Sequence, residues 1–162
     1  MTPDGDSRGA REPDLKLDAY LPYRLSVASN AVSGLIARAY QDRFALSIPQ
    51  WRVICVLAED GGLTQGQIVA RTVMDKVTVS RAAQGLLKRH LVARSEHHAD
   101  GRSHVLALTP EGARLHAEIA PLALAYEAAL IAGLGPDEVA LLKRLLSRLQ
   151  AAAGQLAGDA AP

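Results

Sequence analysis

Three helix-start signals lie close together in the middle of this 162-residue chain. Ser47 and Thr64 each precede a glutamine by three positions, which is the capping-box pattern found at helix N-termini. Asp75 is a third candidate N-cap residue, and only a brief turn separates it from the helix that Thr64 begins. The spacing predicts a helix-turn-helix in which the second helix runs from Asp75 to about Arg89.

A β-hairpin is predicted directly after this second helix. Residues 91–95 and 103–108 are short apolar-rich segments, and Asp100-Gly101 between them is a strong signal for a two-residue turn. A helix-turn-helix followed by a hairpin is a winged helix. Arg102 lies at the tip of the predicted wing.

Long helices are predicted on both sides of this unit. Ala and Leu, which are strong helix formers, supply 29 and 24 of the residues. Apolar residues recur at steps of three and four from about Asp18 to Arg43, and again in two helices after Thr109 and Pro136. The predicted fold class is therefore mainly α (α+β).

The domain organisation follows from the length and these segments. A chain of this size forms one domain, which we expect over residues 18–155. The N-terminal residues are polar and rich in Gly and Pro, which predicts a disordered tail over 1–17, and the last residues predict a frayed tail over 156–162. No secretory signal or apolar run of membrane-spanning length is visible, so we expect a cytoplasmic protein with no membrane association.

The charge of the chain is concentrated in its centre. The net charge is only +1, but residues 64–110 carry seven basic and three acidic side chains, and both flanking regions are mildly acidic. A localised basic block indicates a polyanionic partner, although a solvated basic face explains the same charges.

With these features the sequence resembles the MarR family of bacterial transcriptional regulators, over about residues 18–153. The resemblance lies in motifs at the second helix, the helix-turn-helix, the wing and the start of the fifth helix: 46–51, 63–65, 76–81, 87–92, 100–102 and 108–112. One departure is His90, which stands where the family usually has glycine.

The resemblance implies a winged helix-turn-helix lobe, over about 47–110, with flanking dimerisation helices at about 18–45 and 110–153. It implies a homodimer, most simply a repressor, that binds double-stranded DNA at an inverted-repeat operator. The residues predicted to contact DNA are polar or basic and lie on the recognition helix, after it and on the wing: Lys76, Thr78, Ser80, Arg81, Gln84, Arg89, Arg94 and Arg102.

The first helix carries small neutral polar residues on a second face, which predicts either an effector pocket or close helix packing at the dimer interface. The candidate effector-binding residues combine this face with nearby aromatic and cationic side chains: Tyr23, Ser26, Ser29, Asn30, Ser33, Arg38, Trp51 and Tyr126. The segment from Met74 to Arg81 resembles the branch of the family that governs aromatic-acid catabolism. This implies a small aromatic acid or its CoA thioester as the effector.

The sequence allows three other functions. One is a non-specific architectural DNA-binding protein, and another is a dimer that binds proteins instead of DNA. A third is a redox-sensing regulator that uses Cys55, although the apolar run around Cys55 favours a buried structural thiol. The five histidines show no metal-ligand spacing and no catalytic motif is present, so we expect no metal, no cofactor and no enzymatic activity.

Overall fold

The structure is a computed structural model that describes residues 15–96 and 104–159. A short 3-10 helix at Leu17–Ala19 is followed by six helices and three strands within these residues. In chain order they are α1 Leu21–Phe44, α2 Ile48–Asp60, β1 Leu63–Thr64, α3 Gln65–Thr72, α4 Lys76–Lys88, β2 Val92–Glu96, β3 His104–Leu108, α5 Pro110–Ile131 and α6 Pro136–Asp159. The fold is mainly helical with a small antiparallel sheet, as predicted.

The three helix-start signals are confirmed by hydrogen bonds. The backbone N–H of Ser47 donates to Oε1 of Gln50 at 3.0 Å, and that of Thr64 donates to Oε1 of Gln67 at 2.8 Å. In both boxes the hydroxyl accepts from the glutamine N–H in return. Asp75 caps α4 by accepting from the backbone N–H of its third residue at 2.8 Å. Local side-chain chemistry therefore fixes where α2, α3 and α4 begin.

The sheet has one strand more than the sequence predicted. β3 lies in the centre, with β2 and the two-residue β1 on its edges, all antiparallel. β1 is the N-cap segment of α3, and Leu63 pairs with Leu106. Two residues are too few to show an alternating pattern, so β1 could not be predicted from periodicity.

The core lies inside the winged lobe. Its largest fully buried side chains come from the α1–α2 turn, from α2, α3, α4 and α5, and from β3: Leu46, Val53, Ile54, Ile68, Val79, Leu86, Leu106 and Ile119. By contrast, α6 has no buried residue between positions 136 and 158, and its leucines are 40–71% exposed. The winged lobe therefore has a well-packed hydrophobic core of its own, whereas the flanking helices have a large exposed apolar surface.

The start of α5 is fastened to the segment that ends α4. The Thr109 hydroxyl donates to the carbonyl oxygen of His90 at 2.7 Å, and the Thr109 N–H donates to that of Leu91 at 3.1 Å. Gly112 follows in the first turn of α5, where a Cβ atom would overlap the Leu91 carbonyl group. The contact leaves room only for glycine, and it holds α5 against the lobe.

The boundaries differ from the predicted ones at the ends of the domain. α6 continues to Asp159, so residues 156–159, which were expected to fray, are helical. At the other end, Leu17 already belongs to the 3-10 helix. Most of the predicted N-terminal tail, and the wing turn with Asp100, Gly101 and Arg102, lie outside the described residues.

No single helix within residues 15–96 and 104–159 is long and apolar enough to cross a membrane. The pair α5 and α6 passes a test of length and composition only together, and the two helices are bent by 105° at their junction.

Candidate nucleic-acid interface

Helix α4 has one buried and one exposed face. Its buried face carries Val79, Ala82, Ala83 and Leu86, which pack into the core. The opposite face is exposed and follows the same helical spacing, and its members are Val77, Arg81, Gln84 and Lys88. Arg81 and Gln84 were predicted to contact DNA, and the structure places both on this exposed face, with Lys76 exposed beside it. Val77 was not predicted, because the sequence interpretation considered polar side chains only.

Thr78 and Ser80 are less available than predicted. The Thr78 hydroxyl donates to Oδ2 of Asp75 at 2.6 Å, so its proton is committed to the N-cap of α4. The hydrogen bonds from Thr78 also lower the pKa of the Asp75 carboxyl group, which keeps the cap ionised. Both Thr78 and Ser80 are half-buried. Within this pair, the structure shows a capping role for Thr78.

Arg89 has a partner inside the protein. Its guanidinium donates to the carbonyl oxygens of Ala45 at 2.8 Å and Phe44 at 3.0 Å, at the C-terminus of α1. The sequence interpretation placed Arg89 on a DNA phosphate because the end of α1, 44 residues earlier in the chain, has no sequence signal for this contact. The structure shows a link between the recognition helix and α1, and the phosphate contact of Arg89 stays a prediction.

The remaining predicted DNA contact after α4 is Arg94. It lies exposed on β2 and lines, with Gln84, a cavity of about 440 Å³ between α4 and the sheet, which has Leu106 at its base. Arg102 lies outside the described residues. The described part of the predicted interface therefore comprises one exposed helix face and one exposed strand cation beside it.

The eight predicted effector-binding residues do not form one site in the chain. Tyr23 and Arg38 are 15 positions apart on α1, which is about 22 Å along a helix axis. They line two separate grooves. Ser26, Ser29 and Asn30 are exposed, whereas Ser33, Trp51 and Tyr126 are half-buried. In one chain, Tyr23 and Arg38 therefore do not line one compact pocket, and their role in effector binding stays a prediction.

An aromatic cluster lies where α1, α2 and α5 meet. The Trp51 indole is stacked on His116 at 5.5 Å between ring centroids, and it contacts Tyr40 edge-on at 5.4 Å. Burial raises the pKa of the Tyr40 hydroxyl, and so do the neighbouring Cys55 and Tyr126. The sequence interpretation named Trp51 and Tyr126 but missed Tyr40 and His116. A histidine at helical spacing with Ile119, Ala123 and Tyr126 was the available signal for His116.

Cys55 does not have the surroundings of a reactive thiol. Burial raises its pKa to about 11, and the carboxylate of Glu59 contributes in the same direction. Redox-active thiols have lowered pKa values and cationic neighbours. The structure therefore argues against the redox-sensing alternative.

Metal binding has no support in the described part of the chain. Within residues 15–96 and 104–159, no three His, Cys, Asp or Glu side chains are close enough to hold a metal ion.

Comparisons with known proteins agree with this architecture. Residues 46–103 match the MarR family. A MarR family transcriptional regulator from Silicibacter pomeroyi DSS is 31% identical, with a TM-score of 0.72 over 83% of this chain and 89% of that one. No curated protein matches the sequence.

Two further solved structures are relatives of lower identity. BpsR of Bordetella bronchiseptica, whose DNA binding is regulated by 6-hydroxynicotinic acid, is 26% identical, with a TM-score of 0.79 over 84% of this chain and 96% of that one. PcaV of Streptomyces coelicolor, in complex with its natural ligand, is 25% identical, with a TM-score of 0.74 over 86% and 97%. The family consists of regulators and not of enzymes. By fold, motifs and identity, this chain belongs to the MarR family of DNA-binding transcriptional regulators.

Proposed function

We propose that the protein is a homodimeric repressor that binds an inverted-repeat operator and is released by a small aromatic acid or its CoA thioester. The exposed face of α4 is the observation that carries the operator-binding part. Arg81 and Gln84 lie on this face one helical turn apart. Their side chains form bidentate hydrogen bonds with guanine and adenine edges in the major groove, so they suit sequence-specific recognition.

The charge distribution supports the same proposal. Lys76, Arg81, Lys88 and Arg94 are exposed around α4 and β2. Residues 64–110 carry seven basic and three acidic side chains, and one of these acidic groups, the Asp75 carboxylate, accepts from Thr78. A local excess of cations attracts the phosphate backbone and positions the recognition helix on the duplex.

The proposed dimer rests on the apolar surface of the flanking helices. Five leucines form a stripe along α6 and are 40–45% exposed: Leu141, Leu142, Leu145, Leu146 and Leu149. α5 adds Leu124 and Leu130, which are 64% and 48% exposed. A second copy of the chain would cover these side chains, and a two-fold axis would place the two α4 helices about one DNA turn apart.

The effector part of the proposal centres on the aromatic cluster of Tyr40, Trp51 and His116, with Tyr126 as a neighbour of Tyr40. This cluster lies between α1, which belongs to the proposed dimer unit, and α2, which belongs to the DNA-binding lobe. Ser33 is half-buried on the same face of α1 as Tyr40, at helical spacing. Aromatic rings bind planar ligands by stacking, and the relative BpsR responds to the aromatic 6-hydroxynicotinic acid.

Release would follow from a change in the spacing of the two lobes. An aromatic acid bound between α1, α2 and α5 would favour one arrangement of lobe and dimer helices over another. It would lower operator affinity only by its differential affinity for the two arrangements. The Arg89 link between α4 and the end of α1 provides a direct connection from the dimer helix to the recognition helix.

The operator part is tested by selecting duplexes from a random DNA library with the purified protein at near-physiological salt. We expect an enriched inverted repeat, and Arg81→Ala should weaken its binding by about tenfold or more. Arg52→Ala is the matched control, since Arg52 is an exposed arginine on α2 outside the proposed interface. Recovery without a consensus would favour an architectural protein, and no recovery even at low salt would favour a protein-binding dimer.

The effector part is tested by fluorescence, because Trp51 is the single tryptophan of the chain. Titration with 6-hydroxynicotinic acid, salicylate and a hydroxycinnamoyl-CoA thioester should quench the emission and release the operator in the same concentration range. His116→Ala should weaken both effects in parallel. If all three compounds leave emission and operator binding unchanged, the aromatic effector is wrong.

A further inference from the structure

We infer that Val77 contacts the 5-methyl group of one thymine in each operator half-site and so sets part of the DNA sequence preference. This inference rests on the proposed sequence-specific binding of DNA. It concerns an apolar side chain in a surface that the sequence interpretation treated as wholly polar.

The position of Val77 places it at the leading end of the exposed face of α4. It is the second residue of that helix and is 58% exposed. Val77, Arg81 and Gln84 follow one another at steps of four and three, so they lie on one face, opposite the buried face. N-terminal residues of a recognition helix approach base edges. A helix that presents Arg81 and Gln84 to the major groove therefore presents Val77 as well.

Folding of the isolated chain does not account for a valine at this position. A side chain that is 58% exposed contributes little to the core, and valine has a lower helix propensity than alanine, lysine or glutamate. The neighbouring Lys76 is exposed and Thr78 is committed to the N-cap, so the local surface is otherwise polar. The fold of the isolated chain therefore leaves this valine available for a contact outside the chain.

A second exposed valine lies at the same end of the helix-turn-helix. Val73 ends α3 with φ of 54° and is 73% exposed. The left-handed conformation is unfavourable for a β-branched residue, and an exposed side chain gains no burial in return. The turn that leads into α4 is thus bordered on both sides by exposed valine side chains.

Thymine is the base that fits this surface. It alone carries a methyl group in the major groove, and apolar side chains contact that group. Cytosine at the same place carries hydrogen at C5, so Val77 would lose this apolar contact. The Val77 side chain therefore distinguishes a thymine from a cytosine through the contact with the methyl group.

The experiment replaces single thymines of the selected operator by deoxyuridine, which removes only the 5-methyl group. At one thymine per half-site, the substitution in both half-sites should weaken wild-type binding by about 15-fold, or about fourfold for each buried methyl group. Val77→Ala should bind the thymine operator about as weakly as the wild type binds the deoxyuridine operator, with less than about twofold discrimination between the two.

Val27→Ala is the matched control, because Val27 is an exposed valine on α1, 47% accessible and remote from α4 in the chain. It should keep the 15-fold ratio even if dimer formation changes its absolute affinity. A wild-type protein indifferent to deoxyuridine at every thymine, or a Val77→Ala variant that keeps the full ratio, would overturn this inference alone. A protein that binds no duplex would overturn the proposed function together with it.

Discussion

Nη1 of Arg89 lies 2.8 Å from the carbonyl oxygen of Ala45, which joins the residue that ends α4 to the residue that ends α1. Ala45 has a left-handed backbone with φ of 49°, so the carbonyls at the end of α1 turn away from the helix ladder and need other donors. The guanidinium supplies them and places a positive charge at the negative end of the helix dipole. The contact links the end of α1 to the end of the recognition helix.

Arg89→Ala should separate a positioning role from a phosphate contact. We expect a loss of about 1 kcal/mol in the free energy of unfolding, from the lost hydrogen bonds. Operator affinity should fall, but the slope of log K against log salt should not change, because no phosphate contact is lost. The measurement is operator binding at four or more salt concentrations.

Arg94→Ala is the comparison for this prediction. Arg94 is exposed on β2 beside α4. Its removal should reduce the salt slope by about 1.8, since each dimer would lose two phosphate contacts at about 0.9 each. If Arg89→Ala reduces the slope by the same amount, Arg89 contacts DNA and the α1 link is incidental.

His90→Gly should stabilise the protein. α4 ends in a Schellman motif in which the N–H of Leu91 donates to the Leu86 carbonyl oxygen and that of His90 donates to Leu87, both at 3.0 Å. His90 has φ of 55°, a conformation that costs a side-chain-bearing residue and suits glycine. We expect the free energy of unfolding to rise by about 1 kcal/mol, measured by urea denaturation.

Lys88→Gly tests whether this gain is specific to the left-handed position. Lys88 lies two residues earlier and is the last residue of α4. Glycine in a helix should lower the free energy of unfolding by about 1 kcal/mol. A loss of stability in both variants would show that the strain at His90 is compensated by contacts of its side chain.

The parts of this fold that the sequence predicts depend on contacts between residues close together in the chain, and the parts that it misses depend on contacts between distant residues. The starts of α2, α3 and α4 depend on side chains three residues away, so Ser47, Thr64 and Asp75 identified them from the sequence. The pairing of β1 with β3 and the contact of Arg89 with Ala45 join residues more than 40 positions apart. Neither has a periodic pattern or a local partner, so the sequence could not indicate them.

The effector residues show the same limit. Tyr23 and Arg38 both lie on α1 and were grouped by residue type, but the helix separates them by about 22 Å. Tyr40, Trp51 and His116 come from three different helices, and only the packing of α1, α2 and α5 brings their rings together. Residues of similar type along one helix therefore indicate a pocket less well than residues that lie where several helices meet.

Gly112→Ala should destabilise the whole lobe. The new Cβ atom would overlap the carbonyl group of Leu91, which is backbone and cannot rotate away, and it would lie 3.2 Å from Cδ2 of Leu108. We expect a loss of about 3 kcal/mol in the free energy of unfolding, seen as a lower midpoint in urea. Gly154→Ala is the control, since nothing lies within 4 Å of its Cβ position in α6. There alanine should be neutral or stabilising, and an equal loss in both variants would contradict the steric explanation.

Cys55 should be inert to peroxide at neutral pH. With a pKa of about 11, only about three thiols in ten thousand are ionised at pH 7.5, and the thiolate is the reactive form. Operator binding should therefore be the same before and after peroxide treatment, in the wild type and in Cys55→Ser. Labelling by iodoacetamide should be slow at pH 7.5 and rise steadily towards pH 11. Rapid labelling at pH 7.5, or peroxide-sensitive binding that Cys55→Ser abolishes, would instead establish a redox-active thiol.

The raised pKa of Cys55 also makes the stability of the fold depend on pH. Because the folded protein favours the neutral thiol, this group stabilises the fold below the ordinary thiol pKa of about 8.5, and that contribution is lost as the pH rises towards 11.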